Sequence, residues 1–395
     1  MDKKTRKQEK VLIIGGHLTP ALAVASELLE TSIVDIIWAG TKYSQTTDKS
    51  LSAEFETVTS RGIRFIDFKA GKLWRKWTPQ TLLIAFTNLI NIPLGFIRAV
   101  IIISKEKPDL VLSFGGYLAL PIVIVARIFG KKIITHEQTV VIGLANKIIA
   151  LFAHKVCYSW GTTLTSNDSK NVFTGNPVRK EVLASSSKVF KFKNNLPTIF
   201  ITGGNQGANT INKRISKILT QLLDHANVIH QTGNSSLTND YANALSDRNN
   251  LDEDKQSRYI VVDRIFGNEI GEAFHRADLV LSRSGANTIT ELLLLGKPAV
   301  LIPIPWSSNN EQQKNAEMLA KIGLAKIIRQ YDELPAETIL KELLSAIQLL
   351  KDGKNFINGS LENTKELAKT MVKKDAAKII AKETLKLLGV NSKDR

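Results

Sequence analysis

The sequence contains one cysteine, Cys157, in 395 residues. A single cysteine excludes an intrachain disulfide and a cysteine-rich metal site, and it fits a protein kept in a reducing cytosol. Acidic residues are also fewer than basic ones: the chain has 37 Asp and Glu and 53 Lys and Arg, which gives a formal net charge of +16. This excess of positive charge predicts an anionic partner, for which nucleic acid, an anionic membrane and a phosphorylated substrate are the candidates.

A clean transmembrane segment is also missing. Residues 81–104 are long enough to cross a bilayer, which takes about 20 residues, but Asn88, Asn91, Pro93 and Arg98 interrupt the apolar run. Basic residues and two tryptophans precede it, namely Lys72, Trp74, Arg75, Lys76 and Trp77. This composition is typical of a lipid headgroup boundary. Two compatible interpretations follow: a buried helix pair after a solvated basic loop, or a patch that touches a membrane surface.

The N-terminus does not read as a signal peptide. A basic start precedes the apolar residues 11–14 and the small residues 21–25, but Gly15, Gly16, His17 and Pro20 break the run. These residues favour a strand at 11–14 that turns directly into a helix at 20–30.

Length and composition predict two globular domains. The chain has 395 residues, of which 43% are hydrophobic, and this excludes a disordered chain. Short apolar runs alternate with helical patterns, which is the βαβ rhythm of a parallel sheet. The predicted strands of the first half are 11–14, 33–39, 110–113, 132–135 and 155–158, and those of the second half are 198–202, 227–231, 259–262, 279–282 and 299–302. The boundary between the two predicted domains falls near GNPVR (175–179) and the polar stretch 185–195. The Lys-rich helical pattern after Gly353 has no strand to pair, so its last helix is expected to pack back on the first domain.

Four predicted strands end in glycines that open helices. These turns are IGGH (14–17), FGGY (114–117), TGGNQGA (202–208) and RSGA (283–286). Glycine lets backbone N–H groups approach phosphate oxygens at the positive end of a helix. One such turn is weak evidence, but four at the carboxyl ends of strands favour a phosphate-bearing ligand. None matches G-x-G-x-x-G with a later acidic residue, or the P-loop, so classical dinucleotide and P-loop sites are excluded.

The densest polar constellation lies in the second half, at 283–291 and 303–316. A helix that starts at Gly285 places Glu291 about two turns in, where a carboxylate can accept hydrogen bonds from two ribose hydroxyls. Asn309, Asn310, Gln312 and Asn315 supply the uncharged amides that commonly bind sugar hydroxyls. A solvated helix glutamate and a polar loop would produce the same pattern, although the apolar residues 292–295 indicate that the neighbouring helix surface is buried.

These residues together resemble one family, the MurG-type UDP-N-acetylglucosamine:lipid I transferases of glycosyltransferase family 28. The matching stretches occur in the family's order over about residues 11–330: GGHLTPALAVA (15–25), FGGYLALP (114–121), THEQTVVIGLANK (135–147), GNPVR (175–179), ITGGNQGANTIN (201–212), HQTG (230–233), ADLVLSRSGANTITELLLLGKPAVLIPIP (277–305) and NNEQQKNA (309–316). The resemblance implies an α/β protein of the GT-B fold, with two Rossmann-like parallel-sheet domains facing a cleft. Residues 1–178, with a helix at about 373–395, would bind acceptor and membrane, and residues 179–372 would bind UDP-GlcNAc.

The resemblance also implies an activity and a set of site residues. Family members transfer GlcNAc from UDP-GlcNAc to the C4 hydroxyl of MurNAc in lipid I, with inversion and without a bound metal or cofactor. His17 is the implied catalytic base, with His136 beside Glu137 as the second candidate. Gly15, Gly16, Gly115, Gly116 and Tyr117 would hold the acceptor diphosphate. The implied UDP-GlcNAc residues are Thr139, Arg179, Asn205, Phe266, Gly267, Ser284, Gly285, Ala286, Asn287, Thr288, Ile289, Thr290, Glu291, Gln312, Gln313 and Asn315, with Glu291 on the ribose.

Three positions depart from the family's pattern. The first loop is normally G-G-T-G-G-H, whereas Ile13 and Ile14 run straight into Gly15-Gly16-His17, so about three residues of the acceptor loop are missing. Thr139 replaces an asparagine, and Asn205 replaces a serine that can also hydrogen-bond a phosphate or ribose. A transferase for another membrane acceptor, such as a polyprenyl-diphosphate sugar or diacylglycerol, and a non-catalytic UDP-sugar-binding paralogue are therefore the alternatives.

The expected partners are UDP-GlcNAc, lipid I and the anionic inner surface of the cell membrane, with a peripheral location on its cytoplasmic face. No nucleic-acid partner is expected, because no recognised nucleic-acid motif accompanies the charge.

Overall fold

The structure, a computed structural model, describes residues 8–43, 51–72, 82–163, 168–184, 189–204, 207–235, 237–331 and 334–390; the side chains described in the long helix begin at Ala85. The chain divides into two compact units. One comprises Met1–Val178 and Lys373–Arg395, and the other comprises Arg179–Val372.

The first unit is built on a parallel sheet with the strand order β3-β2-β1-β4-β5-β6-β7. Its strands are β1 (Glu9–Ile14), β2 (Val34–Gly40), β3 (Arg64–Asp67), β4 (Leu110–Ser113), β5 (Lys132–Glu137), β6 (Lys155–Tyr158) and β7 (Asn171–Phe173). Residues 11–14 of β1 are all buried. A run of four buried apolar residues is expected where helices cover both faces of a parallel sheet.

Helices cover both faces of this sheet. They are α1 (Leu18–Leu29), α2 (Ala53–Ser60), α3 (Leu82–Glu106), α4 (Ala119–Ile128) and α5 (Leu144–Phe152). Side chains of α1 and α2 pack on one face in a core that contains Leu28, Trp38 and Val58. Side chains of α3, α4 and α5 pack on the other face in a second core that contains Ile103, Ile122 and Ile149. The sheet is therefore the middle layer of an α/β/α sandwich.

The apolar segment 81–104 forms α3, a single helix of 25 residues with Pro93 inside it. The expected helix pair is therefore wrong, because Pro93 does not end the helix. Proline removes one backbone hydrogen bond, and a long helix with an exposed side tolerates that loss. Among the described residues, α3 supplies the one helix, Ala85–Glu106, that is long and apolar enough to cross a membrane, and only 17% of its apolar window is buried.

The second unit has a parallel sheet with the order β10-β9-β8-β11-β12-β13. Its strands are β8 (Thr198–Thr202), β9 (Asn227–Gln231), β10 (Tyr259–Val262), β11 (Leu279–Ser282), β12 (Ala299–Leu301) and β13 (Ala325–Ile327). Its helices are α6 (Asn209–Leu223), α7 (Asp240–Asn249), α8 (Glu253–Arg258), α9 (Glu269–Arg276), α10 (Ala286–Leu295), α11 (Glu311–Lys321), α12 (Ala336–Lys351) and α13 (Leu361–Thr370). Residues of α6 and α12 share a core with the central strands, which contains Ile215, Leu219 and Leu343.

The last helix, α14 (Ala376–Leu388), belongs to the first unit. Its buried residues Ile380, Ala381 and Leu385 join the core that contains Leu28 of α1. Lys373, just before α14, donates from Nζ to the carbonyl of Phe173 in β7 at 2.7 Å. After the second unit the chain therefore returns to the first unit, where α14 packs into the core on one face of that unit's sheet.

Candidate active site

The order of the strands places the predicted glycine turns at two points. In the first unit the strand order reverses between β1 and β4, and in the second unit it reverses between β8 and β11. The turns at 15–17 and 114–117 follow β1 and β4, and the turns at 203–208 and 283–286 follow β8 and β11. Open α/β sheets bind ligands outside the carboxyl ends of their strands at such reversal points. Each unit therefore carries two glycine turns where a phosphate-bearing ligand is expected.

In the first unit the two glycine turns touch each other. A Cβ atom added at Gly16 would lie 2.4 Å from the carbonyl oxygen of Gly115, so only glycine fits there. Gly115 and Gly116 have φ angles of +76° and +81°, which glycine adopts without strain. The shortened first loop thus packs directly on the Gly115-Gly116 turn, and Tyr117 beside it is exposed with the Lys72 ammonium 5.8 Å from its ring centroid.

His17 occupies the N-cap position of α1, directly after Gly15 and Gly16. Its side chain makes no capping hydrogen bond to the helix. Partial removal from water lowers the pKa of His17 to about 4, because desolvation disfavours the imidazolium. The imidazole is therefore neutral at physiological pH and can accept a proton, as a general base requires.

His136, the second candidate base, is almost fully buried at the end of β5. Its Nε2 lies 3.2 Å from the carbonyl oxygen of Gly175 and 3.1 Å from Oγ of Ser159. Since a carbonyl can only accept, Nε2 carries the proton that it donates to Gly175. Burial lowers the pKa of His136 to about 3. His136 is therefore hydrogen-bonded inside its own unit, to the turn at Gly175 and to Ser159.

Glu137 organises the loop that follows β5. Its Oε1 accepts hydrogen bonds from the backbone N–H and hydroxyl of Thr139, at 3.0 and 2.8 Å. Its Oε2 accepts from the N–H of Gly143 and from Nδ2 of Asn146, at 3.1 and 2.8 Å. The side chain of Asn146 in turn lies against Gly115, where an added Cβ would be 2.6 Å from the amide. Thr139 is buried in this network, so its hydroxyl serves its own loop.

A carboxylate that sequence reasoning missed, Glu54, lies beside the first glycine turn. Its Oε1 accepts from Nε1 of Trp38 at 2.9 Å, and its Oε2 accepts from the N–H of Thr41 at 3.1 Å. A Cβ atom added at Gly15 would lie 2.9 Å from Oε1. Burial raises the pKa of Glu54. No local sequence signal points to this contact, because Glu54 reads as an ordinary acidic residue in the first turn of α2.

In the second unit α10 begins at the glycine turn after β11. Gly285 is its N-cap and has no side chain that could cap the first backbone N–H groups of the helix. The residues predicted to hold the diphosphate differ in role. Ile289 and Thr290 point into the core, and Thr290 donates its hydroxyl to the carbonyl of Ala286 at 2.8 Å. The side chains of Asn287 and Thr288 are partly exposed at the helix start.

Glu291 lies one and a half turns into α10 and is held by Arg179. Arg179 Nε and Nη2 both donate to Oε1 of Glu291, at 3.1 and 3.0 Å. The Glu291 side chain is only 4% exposed, whereas that of Arg179 is 24% exposed. Two residues of the predicted donor set, 112 positions apart in the sequence, therefore meet in one ion pair.

Two polar residues of α11, Gln312 and Asn315, hydrogen-bond Ser284 in the glycine turn after β11. Asn315 is fully buried and donates from Nδ2 to the carbonyl of Ser284 at 3.0 Å. Ser284 donates its hydroxyl to the carbonyl of Gln312 at 2.8 Å, and Oε1 of Gln312 accepts from the N–H of Ile304 at 3.1 Å. Gln313 lines a cavity of about 250 Å³ beside the 303–310 loop. Asn310 lines the same cavity, whereas Asn315 and Gln312 are hydrogen-bonded to backbone groups of their own unit.

Other predicted residues lie at the edges of the site or outside the described part of the chain. Phe266 is 61% exposed in the loop after β10, and Gly267 has a φ of +54°. Asn205, Trp74, Arg75, Lys76 and Trp77 lie outside the described residues. In the described ranges no group of three or more His, Cys, Asp or Glu side chains is arranged to hold a metal ion.

Comparison with known families gives a match to both units. A model of the glycosyltransferase family 28 N-terminal domain matches residues 14–158, and a model of the family's C-terminal domain matches residues 198–380. Together these two models span most of the chain.

Similar proteins carry one shared name. A protein of Clostridium perfringens strain 13 is 33% identical over 362 residues, which covers 89% of this chain and 93% of its own. A protein of Desulfotalea psychrophila is 31% identical over 355 residues, covering 87% and 89%. Both are named UDP-N-acetylglucosamine--N-acetylmuramyl-(pentapeptide) pyrophosphoryl-undecaprenol N-acetylglucosamine transferase.

Solved structures agree with the fold. The crystal structure of Acinetobacter baumannii MurG is 25% identical, has a TM-score of 0.63, and covers 96% of this chain and 99% of its own. The calicheamicin glycosyltransferase CalG4 is 12% identical with a TM-score of 0.66 over 97% and 99% of the two chains. Both units therefore have the Rossmann-like domains of the GT-B fold.

Proposed function

The chain belongs to glycosyltransferase family 28, and from that membership we propose that it transfers N-acetylglucosamine from UDP-GlcNAc to the C4 hydroxyl of MurNAc in undecaprenyl-diphosphoryl-MurNAc-pentapeptide, lipid I, and so forms lipid II. The enzyme is an inverting hexosyltransferase of peptidoglycan synthesis. A different membrane acceptor is not favoured, since relatives at 31–33% identity over most of the chain share the lipid I activity in their name.

The observation that carries the donor assignment is Glu291 on α10, together with Arg179. A carboxylate one and a half turns from an uncapped helix start can accept from both ribose hydroxyls while the diphosphate lies at the N–H groups of residues 286–288. The Arg179 guanidinium, partly exposed, can serve the leaving diphosphate. Stabilising the developing charge on UDP in this way lowers the barrier to its departure.

In the chemical step the acceptor's C4 oxygen attacks C1 of GlcNAc, and the bond from C1 to the phosphate oxygen breaks. His17 is the proposed base that takes the hydroxyl proton, because its pKa of about 4 leaves it neutral and its ring is not engaged as a helix cap. Gly115, Gly116 and Tyr117 lie next to His17 along the same sheet edge. They are the proposed contacts for the acceptor diphosphate, with Gly15 and Gly16.

The proposed location is peripheral, at the anionic cytoplasmic face of the cell membrane, which holds the lipid acceptor. One face of α3 supports this, because Phe86, Leu89, Ile90, Ile97 and Ile101 are each more than half exposed. These positions recur at helical spacing and form an apolar stripe, and Lys72 lies near the start of the helix. The basic residues Arg75 and Lys76 of the sequence would add attraction to anionic lipid.

Turnover tests this function directly. Purified protein is incubated with UDP-GlcNAc and a lipid I analogue, and UDP release is measured alongside the formation of the disaccharide lipid. We expect both products in equal amounts, and a folded protein that binds UDP but releases none from UDP-GlcNAc in the presence of acceptor would contradict the proposal.

A further inference from the structure

We propose that the second unit carries a binding site for a short peptide with free termini, in a groove between α6, α7 and the start of α12. The groove encloses a cavity of about 690 Å³, which is within the usual size of small-molecule sites. Among the described residues that line it, none belongs to the predicted donor set. The site is therefore additional to the proposed transferase function and does not depend on it.

Hydrogen bonds fix both sides of this groove to α6. On one side, Asn209 of α6 donates from Nδ2 to Oδ1 of Asp240, the first residue of α7, at 2.6 Å. On the other side, Arg214 of α6 donates from Nε to the carbonyl of Leu334, just before α12, at 2.8 Å. The cavity is therefore formed before a ligand arrives, as most small-molecule sites are.

Charged groups of opposite sign line the groove on different helices. Lys213 and Lys217 lie one turn apart on α6, and both are exposed. Asp240 and Asp247 lie two turns apart on one face of α7. In the part of the chain that the structure describes, no ion pair joins these lysines to these aspartates. Both signs of charge are therefore available to a ligand.

Asp240 is a buried carboxylate at the edge of this open space. It is 6% exposed, and besides the bond from Asn209 its Oδ2 accepts from the hydroxyl of Thr238 at 2.8 Å. Both donors are neutral, and no described Lys or Arg forms an ion pair with it. The start of α7 stabilises part of its charge. Buried carboxylates usually pair with a cation, and an ammonium group in the cavity would supply one.

The balance of charge in the groove argues against a polyanion such as a nucleotide, and equally against a polycation. Its six charged side chains cancel, because three are basic and three are acidic, namely Lys213, Arg214, Lys217, Asp240, Asp247 and Glu337. Burial lowers the pKa of His230 to about 4 and raises the pKa of Tyr259, so these two lining residues are neutral at physiological pH. A ligand with one charge of each sign matches this lining.

The spacing of the charges sets the length of the ligand. Asp240 and Asp247 are about 10 Å apart along α7, at a rise of about 1.5 Å per residue. An extended peptide spans about 3.3–3.6 Å per residue, so about three residues match that length. Its free ends carry the two charges. The ammonium fits beside the aspartates of α7, and the carboxylate fits beside Lys213 and Lys217 of α6.

Matched peptides test the two ends separately. The probe is tri-alanine with free termini. It is compared with N-acetyl-tri-alanine, which lacks the ammonium, and with tri-alanine amide, which lacks the carboxylate. Binding to the full-length protein is measured by ligand-observed NMR titration. We expect tri-alanine to bind, and each capped form to bind about tenfold more weakly, because it loses one charge-assisted contact.

Variants assign each end of the peptide to one side of the groove. Asp247→Asn should weaken tri-alanine and its amide by about tenfold and leave N-acetyl-tri-alanine unchanged. The double variant Lys213→Gln and Lys217→Gln should weaken tri-alanine and its N-acetyl form and leave the amide unchanged. Lys341→Gln, exposed on α12 outside the groove, is the matched control and should change none of the three. Melting temperatures check that all variants fold.

Three results would overturn the peptide site: no binding of tri-alanine to the wild type, equal affinity for all three peptides, or the same loss of binding in Lys341→Gln as in the groove variants. UDP release from UDP-GlcNAc and lipid I is measured separately. A protein that turns over UDP-GlcNAc but does not bind tri-alanine keeps the proposed function and lacks this site, and the opposite result keeps the site alone.

Discussion

Arg179 donates two hydrogen bonds to a single oxygen of Glu291, from Nε at 3.1 Å and from Nη2 at 3.0 Å. The pair joins the first residue of the second unit to the helix that carries the proposed ribose site. Arg179 thus fixes the position of Glu291, and a ribose that binds as proposed would share Glu291 with the guanidinium or displace it.

Removing either partner should separate affinity for the ribose from affinity for the diphosphate. Glu291→Ala is expected to abolish turnover, since the ribose contact and the partner of Arg179 are both lost. Arg179→Gln should bind uridine at least as well as the wild type, because no guanidinium competes for Glu291, but bind UDP more weakly. Calorimetry with both ligands measures this, and a parallel loss of uridine and UDP in Arg179→Gln would contradict the arrangement. Each variant should also lose about 2 kcal/mol of unfolding free energy, because one charge of a largely buried pair is left alone.

His17 is expected to act in the chemical step and not in donor binding. His17→Ala should lower kcat by about a hundredfold to ten-thousandfold, the usual worth of a general base, and leave KM for UDP-GlcNAc within a factor of two. The wild-type kcat should fall only as the pH drops towards 4, because the imidazole of His17, whose pKa is lowered to about 4, becomes protonated there. His136→Gln serves as the comparison variant for His17→Ala, because His136 hydrogen-bonds the carbonyl of Gly175 inside the first unit. A pH profile that is unchanged in His17→Ala would exclude the base role.

The fold was largely predictable because both faces of each sheet are covered. Inner strands such as 110–113, 155–158 and 279–282 consist mainly of buried apolar residues, and their predicted bounds are confirmed. The strands that sequence reasoning missed, β3, β7 and β13, are three or four residues long and lie at the sheet edges, where exposure breaks the apolar pattern.

Only those features of the site that depend on residues close together in the sequence could be predicted. Glycine turns and the position of Glu291 follow from short-range sequence signals. Its pairing with Arg179 and the contact of Glu54 with Gly15 depend on packing between segments that are distant along the chain. Likewise, nothing in the local sequence shows that the side-chain amides of Asn315 and Gln312 hydrogen-bond backbone groups of their own unit.

Glu54 should matter more for the order of the first glycine turn than its place in a helix suggests. Glu54→Ala leaves the N–H groups of Trp38 and Thr41 without their acceptor, and we expect a loss of about 2 kcal/mol in the free energy of unfolding. Glu54→Gln should cost about half of that, since its one oxygen can still accept from Trp38. Urea denaturation measures both. Glu56→Ala, on an exposed side of the same helix, is the control and should change stability by less than about 0.5 kcal/mol. An equal effect at positions 54 and 56 would contradict the assignment.

Acid should destabilise the protein through its buried histidines. The pKa of His136 is lowered to about 3 and that of His230 to about 4, whereas an unfolded chain titrates histidine near 6.5. Between pH 6.5 and about 4 the unfolded state therefore binds more protons, so the free energy of unfolding falls as pH falls through this window. Melting temperatures measured across pH 4–8 test this. In His230→Gln the slope should be shallower by the share of one histidine, and an identical slope would show that His230 does not contribute.

The apolar stripe on α3 should govern attachment to membranes. Replacing Phe86, Ile90 and Ile97 by serine removes side chains that are each more than half exposed, so folding stability should hardly change, whereas binding to vesicles should fall by about a hundredfold. Changing Lys72, Arg75 and Lys76 to glutamate should weaken binding to anionic vesicles specifically, at about 1 kcal/mol per basic residue, and more so at low salt. The matched control replaces Ile357 and Leu367, exposed apolar residues of the second unit, by serine. Vesicle co-sedimentation measures all three, and loss of binding in the control to the same extent as in the α3 variant would show that attachment depends on general surface hydrophobicity and not on this helix.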